Sequence, residues 1–206
     1  MNKINWDLLK QKLREDILVL PHFFKNPIQG MRSLPHWEWP TILVLQGAFA
    51  IACSTLANLL ERDILGLVTG ILIAPLMSYA LVAVGAGIFF YIFHFAFHRQ
   101  IPYRQIYQHI LFAGIPIGIL SIVMFALPPL LLLGSATSLF LLYVGFTDNL
   151  HIPAKPLRQI LAVFLAVHVF YWGFQQVQTS TKHKTLRQKA TPESLDILEK
   201  ELNRED

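Results

Sequence analysis

The sequence has 206 residues, of which 54% are hydrophobic and 15% charged, whereas soluble domains average about 45–50% and about 25%. This composition excludes an ordinary soluble domain, and the length leaves no room for a large soluble enzyme beside a membrane domain. The net charge is +4, but the basic residues lie in the termini and short loops rather than in one stripe, so we expect no nucleic-acid partner.

Residues 1–39 precede the first apolar run, and we predict that this N-terminal segment begins with an amphipathic helix. Apolar residues recur there at helical steps of three and four and share one face, namely Trp6, Leu9, Leu13 and Ile17. Lys3, Lys10 and Arg14 flank this face, so the helix could lie on the bilayer surface with its cations toward anionic lipid. Packing of the same face on the protein's own helices is the equal alternative.

Four blocks free of Asp, Glu, Lys and Arg follow, at residues 40–60, 64–98, 105–147 and 159–181. Each block reaches the length of about 20 apolar residues that a membrane-spanning helix needs. We therefore predict an all-α, polytopic helical integral membrane protein whose transmembrane domain covers residues 40–176. Its five spans are expected at about 40–60, 76–97, 106–127, 130–147 and 157–174. We expect residues 177–206 to form a charged C-terminal tail that ends either in a short helix or in a solvated, half-formed segment.

The second block leaves the number of crossings open, because 35 residues exceed one span but fall short of two. We predict a break near Pro75, with residues 64–74 interfacial or re-entrant and the second span beginning after the proline. Five crossings place 10 of the 17 Lys and Arg residues on the side of the N-terminus, and six crossings place 12 there. The preference of basic residues for cytoplasmic loops therefore favours the six-crossing alternative.

Polar residues near the span ends are the candidates for chemistry. His94 and His98 are four residues apart, so on a continuous helix they share a face as weak candidate metal ligands. The five-crossing arrangement brings further polar residues to one membrane side, where we expect an interfacial cluster of Arg99, Arg104, His109, Asp148 and His151. The sequence contains no nucleophile elbow, phosphate loop or zinc-protease motif. We predict no enzyme, no catalytic residue and no cofactor.

Small residues and prolines within the spans indicate tight helix packing. Gly114 and Gly118 form a G-x-x-x-G pair, which lets helices approach closely within one molecule or between two copies. Pro116 lies between them and is expected to kink the third span, because proline lacks a backbone donor. Pro75 is the second predicted kink or packing position.

Short motifs stand at the entries and exits of these spans. They are Lys25-Asn26-Pro27 with Leu34-Pro35, the Ala74-Pro75-Leu76 step, Pro102-Tyr103-Arg104-Gln105 with Gly114-Ile115-Pro116, and Tyr143-Val144-Gly145-Phe146 with Pro153-Ala154-Lys155. Over residues 20–176 this arrangement resembles the Yip family of Ypt/Rab-GTPase-interacting membrane proteins, in its short bacterial form. The resemblance implies five transmembrane helices, a cytoplasmic N-terminus in the inner membrane of a bacterium, and a non-enzymatic role. The chain lacks the acidic and G-Y-P-L-type motifs of eukaryotic members, so Rab binding is not implied.

Two functions remain open from the sequence. The first is a membrane scaffold or adaptor that contacts the lipid bilayer, anionic lipids, a membrane-protein partner or a second copy of itself. The second is a small transporter or channel that uses the broken segment 64–78 and the kinked third span. The lack of acidic residues within the spans favours the first.

Overall fold

The computed structural model describes residues 20–62, 64–123, 127 and 129–189, with side chains as far as residue 174. This part of the chain is 85% helical and contains no strand. Its α-helices are α1 Leu20–Lys25, α2 Pro27–Arg32, α3 Trp39–Glu61, α4 Ile64–Tyr91, α5 Tyr103–Ser121, α6 Leu130–Val144 and α7 Ala154–Lys189. The predicted all-α class is confirmed. The predicted amphipathic face of Trp6, Leu9, Leu13 and Ile17, and the tail helix after residue 190, lie outside the described residues.

Four helices in the described ranges are long and apolar enough to span a membrane. They are Trp39–Glu61, Ile64–Ala96, Leu130–Asn149 and Ala154–Phe174. Helix α5 is not among them, because its first two turns contain Arg104, Gln105, Gln108 and His109. The prediction of about five spans is therefore approximately met, in a multi-pass helical membrane protein.

The predicted break between residues 64 and 78 is wrong. Helix α4 continues from Ile64 to Tyr91 with Pro75 inside it, so residues 64–74 are continuous with the second span, which leaves no turn for the second crossing that the six-crossing alternative needs. A proline removes one backbone donor, but a membrane helix tolerates this loss when its neighbours hold it in place. Two polar residues just after Pro75 contact the neighbouring helix α3. Ser78 accepts a hydrogen bond from Gln46 at 3.0 Å, and Tyr79 donates to the Leu43 carbonyl at 2.7 Å.

The chain divides into two compact units, residues 1–165 and 166–206. In the first unit α3 packs on α4, α4 on α5, and α5 on α6. Aromatic side chains fill the space between α4, α6 and the start of α7: the Phe89 ring lies 5.1 Å from Phe146 and 5.4 Å from Phe164, measured between centroids. In the second unit, α7 continues to Lys189, and Val167, Phe170 and Phe174 are exposed, as expected for a helix surrounded by lipid.

Helices α4 and α6 end with the same local structure. Each changes to a π-helix for its last turn, at Ile92–Ala96 and Gly145–Asn149. A histidine with a left-handed backbone follows each one, His98 at φ 50° and His151 at φ 55°. The next residue's N–H donates back to a buried phenylalanine carbonyl, Phe93 or Phe146, at 2.9 Å in both cases. An Ile-Pro step and then Arg-Gln-Ile follow in both sequences, so the segment that joins α4 to α5 and the segment that joins α6 to α7 share their pattern and backbone, and we call them the two halves of an internal repeat.

Candidate functional site

Residues 20–38 fold as a cap over the ends of α5 and α6. The cap contains the two short helices α1 and α2, and Asn26 begins α2 by accepting a hydrogen bond from the Gln29 N–H at 3.1 Å. Four of its apolar side chains are 6% exposed or less, namely Phe23, Met31, Leu34 and Trp37. The Phe112 ring of α5 lies 5.0 Å from both the Phe23 and the Trp37 ring. This burial fixes the cap on the helices beneath it.

Polar contacts join the cap to the ends of the same helices. The Arg32 Nε donates to Asp148 Oδ2 at 2.8 Å, and the Asn149 amide reaches the Met31 carbonyl at 3.4 Å. On the other side, the Gln108 amide donates to the Pro35 carbonyl at 2.7 Å. These contacts join residues 20–38 to α5 and to the end of α6, while the buried Trp37 Nε1 and His109 Nε2 remain without a partner in the described structure.

The structure brings together only part of the predicted interfacial cluster. Asp148 pairs with Arg32, a residue outside the predicted set, and both side chains are about half exposed, at 40% and 52%. His109 is buried, and its Nδ1 lies 2.7 Å from the Gln105 carbonyl, which makes Nδ1 the protonated nitrogen. Arg99 and His151 lie exposed in the loops after the π-helices, and Arg104 is half-buried at the start of α5.

Close packing explains the burial of His109. A Cβ atom at Gly145 would come within 2.8 Å of the imidazole Cδ2 and within 2.6 Å of the Met31 Cε methyl carbon, so any larger residue there would displace one of these side chains. The Nε2 atom of His109 is buried without a hydrogen-bond partner in the described structure. The His109 imidazole is therefore a buried packing group between α5 and the end of α6, and it does not belong to a solvent-exposed polar cluster.

The weak metal candidates His94 and His98 do not share a helix face. The α-helix ends at Tyr91, His94 lies in the π-helical turn, and His98 follows with a left-handed backbone. The π-helix changes the angular step between residues, which removes the four-residue register that the sequence implied. His94 instead stacks on Phe90, with 6.2 Å between ring centroids. Within the described residues no group of three or more potential ligands is close enough to hold a metal ion.

A buried hydrogen-bond chain between α3, α4 and α5 is the main polar feature that the sequence did not predict. Tyr107 donates to Gln46 Oε1 at 2.6 Å, and Gln46 Nε2 donates to Ser78 at 3.0 Å. Tyr107 and Gln46 are only 3% and 1% exposed. A chain in which each group has a partner stabilises one arrangement of the three helices. Its members are about 30 residues apart in sequence, so no local motif reveals it.

The predicted packing positions behave differently from one another. A Cβ at Gly118 would lie 2.5 Å from the Phe49 ring of α3, so this glycine allows a close contact, whereas nothing lies within 4 Å of the equivalent atom at Gly114. Pro116 lies within α5 and does not end it. Gly70 forms a second G-x-x-x-G pair with Gly66 in the sequence, and it also allows a close contact, because a Cβ there would clash with Ser54 and Asn58 of α3.

These features define a helical, multi-pass membrane protein with a folded cap at one end. No protein family model, curated protein or solved structure matches the chain. The resemblance to the Yip family therefore depends on the short motifs alone.

Proposed function

We propose that the protein is a non-enzymatic membrane scaffold or adaptor of Yip type, which binds a membrane-protein partner or anionic lipids through one charged end. The basic end is the surface formed by residues 20–38, 97–104 and 148–158. It contains six of the seven Lys and Arg residues of residues 20–165: Lys25, Arg32, Arg99, Arg104, Lys155 and Arg158. In the described structure Arg32 alone among these six forms an ion pair. The free cations are the observation that supports the proposal.

The distribution of charge also supports an orientation. The seventh cation, Arg62, lies at the opposite end, in the turn between α3 and α4. Because Lys and Arg prefer cytoplasmic loops, the basic end faces the cytoplasm in this proposal. Cys53 is the only cysteine, so a Cys53→Ser background allows single cysteines to be placed at Gln100 and at Glu61. A membrane-impermeant maleimide applied to intact cells should label Glu61→Cys and spare Gln100→Cys, and the reverse labelling contradicts the orientation.

Adaptor function requires a charged surface of fixed shape. The cap provides it, because its buried aromatic side chains and the Asn149 contact hold the main chain of residues 31–37 against the bundle. A fixed arrangement of unpaired cations favours acidic partners by complementarity and increases the rate of encounter.

Site-specific photocrosslinking tests the proposal. A photoreactive residue at Gln100, in the basic end, should give a discrete protein adduct in native membranes, whereas one at Val84, 63% exposed on the apolar face of α4, should not. Arg99→Glu should reduce the Gln100 adduct by about fivefold or more, since each cation near such a surface contributes about 1 kcal/mol. Arg62→Glu is the matched control at the other end. Equal adducts from Gln100 and Val84, or equal effects of the two charge reversals, would contradict an adaptor function.

Transport is the second candidate, and the internal repeat favours it. Many transporters consist of repeated helical units with a substrate path at their interface. Two observations weigh against transport. Helix α4 is continuous, so it provides no broken segment for a substrate path. Gln46, Ser78 and Tyr107 bond to one another between the helices. Solute flux into proteoliposomes above that of protein-free vesicles would favour transport over the scaffold.

A further inference from the structure

Helices α6 and α7 enclose a groove near the loop that joins them. The groove has a volume of about 410 Å³, and its walls include Ala136, Phe140 and Tyr143 from α6 and Arg158, Ala162 and Leu165 from α7. This volume lies within the range of about 300–1,000 Å³ typical of small-molecule sites. The small side chains of Ala136 and Ala162 leave the space open between the helices.

Polar and apolar groups are separated along the groove. Tyr143 and Arg158 lie at the end nearest the connecting loop, and the lining beyond them is apolar as far as Ala136 and Leu165. Seven residues separate Tyr143 from Ala136, which corresponds to about 10 Å of helix. One leaflet of the hydrocarbon core is about 15 Å thick. The groove therefore begins at the headgroup level and extends through most of one leaflet.

The charge at the groove entrance is uncompensated. Arg158 is exposed and forms no ion pair or hydrogen bond with any residue that the structure describes. Lys155 lies three residues earlier and Ala162 four residues later, so the two cations and the small residue share one face of α7. A guanidinium and a tyrosine hydroxyl at the entrance match the oxygens of a phosphate group, and two cations favour a headgroup with net negative charge.

The corresponding space in the other half of the internal repeat is occupied. Arg104 precedes Gln-Ile in α5 as Arg158 does in α7. Tyr103 crosses from α5 to α4, however, and donates a hydrogen bond to the Ala83 carbonyl at 2.8 Å. Leu157 takes the place of that tyrosine in α7 and is fully buried in the core. The groove between α6 and α7 is thus left open where its counterpart is filled.

We propose that this groove binds one anionic phospholipid, with an acyl chain along Ala136 and Ala162 and the phosphate at Arg158 and the Tyr143 hydroxyl. The site requires only that α6 and α7 lie in a bilayer. It deepens the anionic-lipid part of the proposed function by naming one site on the basic end, but it needs no membrane-protein partner, so the photocrosslinking experiment and the lipid test can fail separately.

Native mass spectrometry of the full chain tests this site. Delipidated protein in neutral detergent is mixed with phosphatidylglycerol or with phosphatidylcholine of the same acyl chains. We expect one phosphatidylglycerol to be retained in preference to phosphatidylcholine. Arg158→Gln should lower its affinity about fivefold, as expected for one cation near a lipid headgroup, and Arg158→Lys should retain most of it. Ala162→Phe should abolish retention of both lipids by filling the groove.

Arg99→Gln is the matched control, because Arg99 is exposed at the same end but distant in sequence from the groove. An equal loss in Arg99→Gln and Arg158→Gln would indicate general attraction to a basic surface and overturn the proposal. Unchanged retention in Ala162→Phe also overturns it, as does a dimer that this substitution dissociates, which would identify a second copy as the occupant. If Ala162→Phe does not fold, Ala136→Phe on the opposite wall and Arg158→Gln decide the question by the same outcomes.

Discussion

Substitution of Tyr107 by phenylalanine should destabilise the bundle by about 1–2 kcal/mol. The change removes the 2.6 Å hydrogen bond to Gln46 and leaves the amide oxygen of a side chain that is 1% exposed without its donor. A stranded buried acceptor costs about 1–3 kcal/mol in proteins generally. Interhelical hydrogen bonds in membranes average about 0.6 kcal/mol and reach about 1.7. We expect the upper part of the membrane range, because Gln46 also holds Ser78 and so couples three helices.

Reversible unfolding in mixed micelles, with increasing denaturing detergent, measures this free energy. Tyr79→Phe is the matched control: it removes a hydroxyl of the same kind, but one that donates at an exposed site to a helical carbonyl, so its cost should stay below about 0.5 kcal/mol. The double variant Gln46→Leu with Tyr107→Phe should cost less than the sum of the two single changes. Equal costs for Tyr107→Phe and Tyr79→Phe, or strict additivity in the double variant, would refute the reasoning.

Three further predictions concern packing, the cap and the turns. Gly118→Val should lower the unfolding free energy by about 1–3 kcal/mol relative to Gly114→Val, because only Gly118 has a ring within 2.5 Å; equal stability of the two variants contradicts this packing. Arg32→Gln should lower the unfolding free energy by no more than about 1 kcal/mol, and by less at high salt, because its ion pair with Asp148 is half exposed. A salt-independent loss of twice that size would contradict a solvent-screened ion pair. His98→Gly and His151→Gly should keep or raise the melting temperature, whereas valine at either position should cost about 1–2 kcal/mol, since both residues have positive φ. Lower stability of the glycine variants would show that the imidazoles themselves are needed.

The spans were predictable because a bilayer selects for long apolar runs. The first predicted span, residues 40–60, agrees within one residue of each end with helix α3, Trp39–Glu61. The error at residues 64–78 came from treating proline and polar residues as signs of a break. In a membrane helix the same residues serve contacts with neighbouring helices, and the sequence alone does not show those neighbours. The helical pattern therefore defines the class of fold, whereas interhelical contacts such as those of Ser78 and Tyr79 with α3 appear only in the structure.

The candidate site was less predictable than the fold for a related reason. Asp148 stood out in the sequence as an isolated acid near several cations, but its partner proved to be Arg32, 116 residues away and before the first span. The expected pairing of His94 with His98 assumed a regular helix, and the π-helical turn removed it. Long-range pairs and local changes of helical step both depend on tertiary packing. The repeated Ile-Pro and Arg-Gln-Ile steps, in contrast, were readable and would have indicated the internal repeat.

The internal repeat connects the basic end with the lipid groove. Both halves return the chain to the same membrane side through a π-helical turn. The carbonyl groups of Phe93 and Phe146 accept the hydrogen bonds that close the two turns, and the rings of these residues contact each other, with 5.0 Å between centroids. Each half places an arginine near the start of the helix that follows: Arg104 is the second residue of α5 and Arg158 the fifth residue of α7. Only the second half leaves a space beside its arginine, because Tyr103 bridges α5 to α4 while Leu157 turns into the core. The first half is thus bridged by Tyr103, whereas the groove beside Arg158 stays open in the second half.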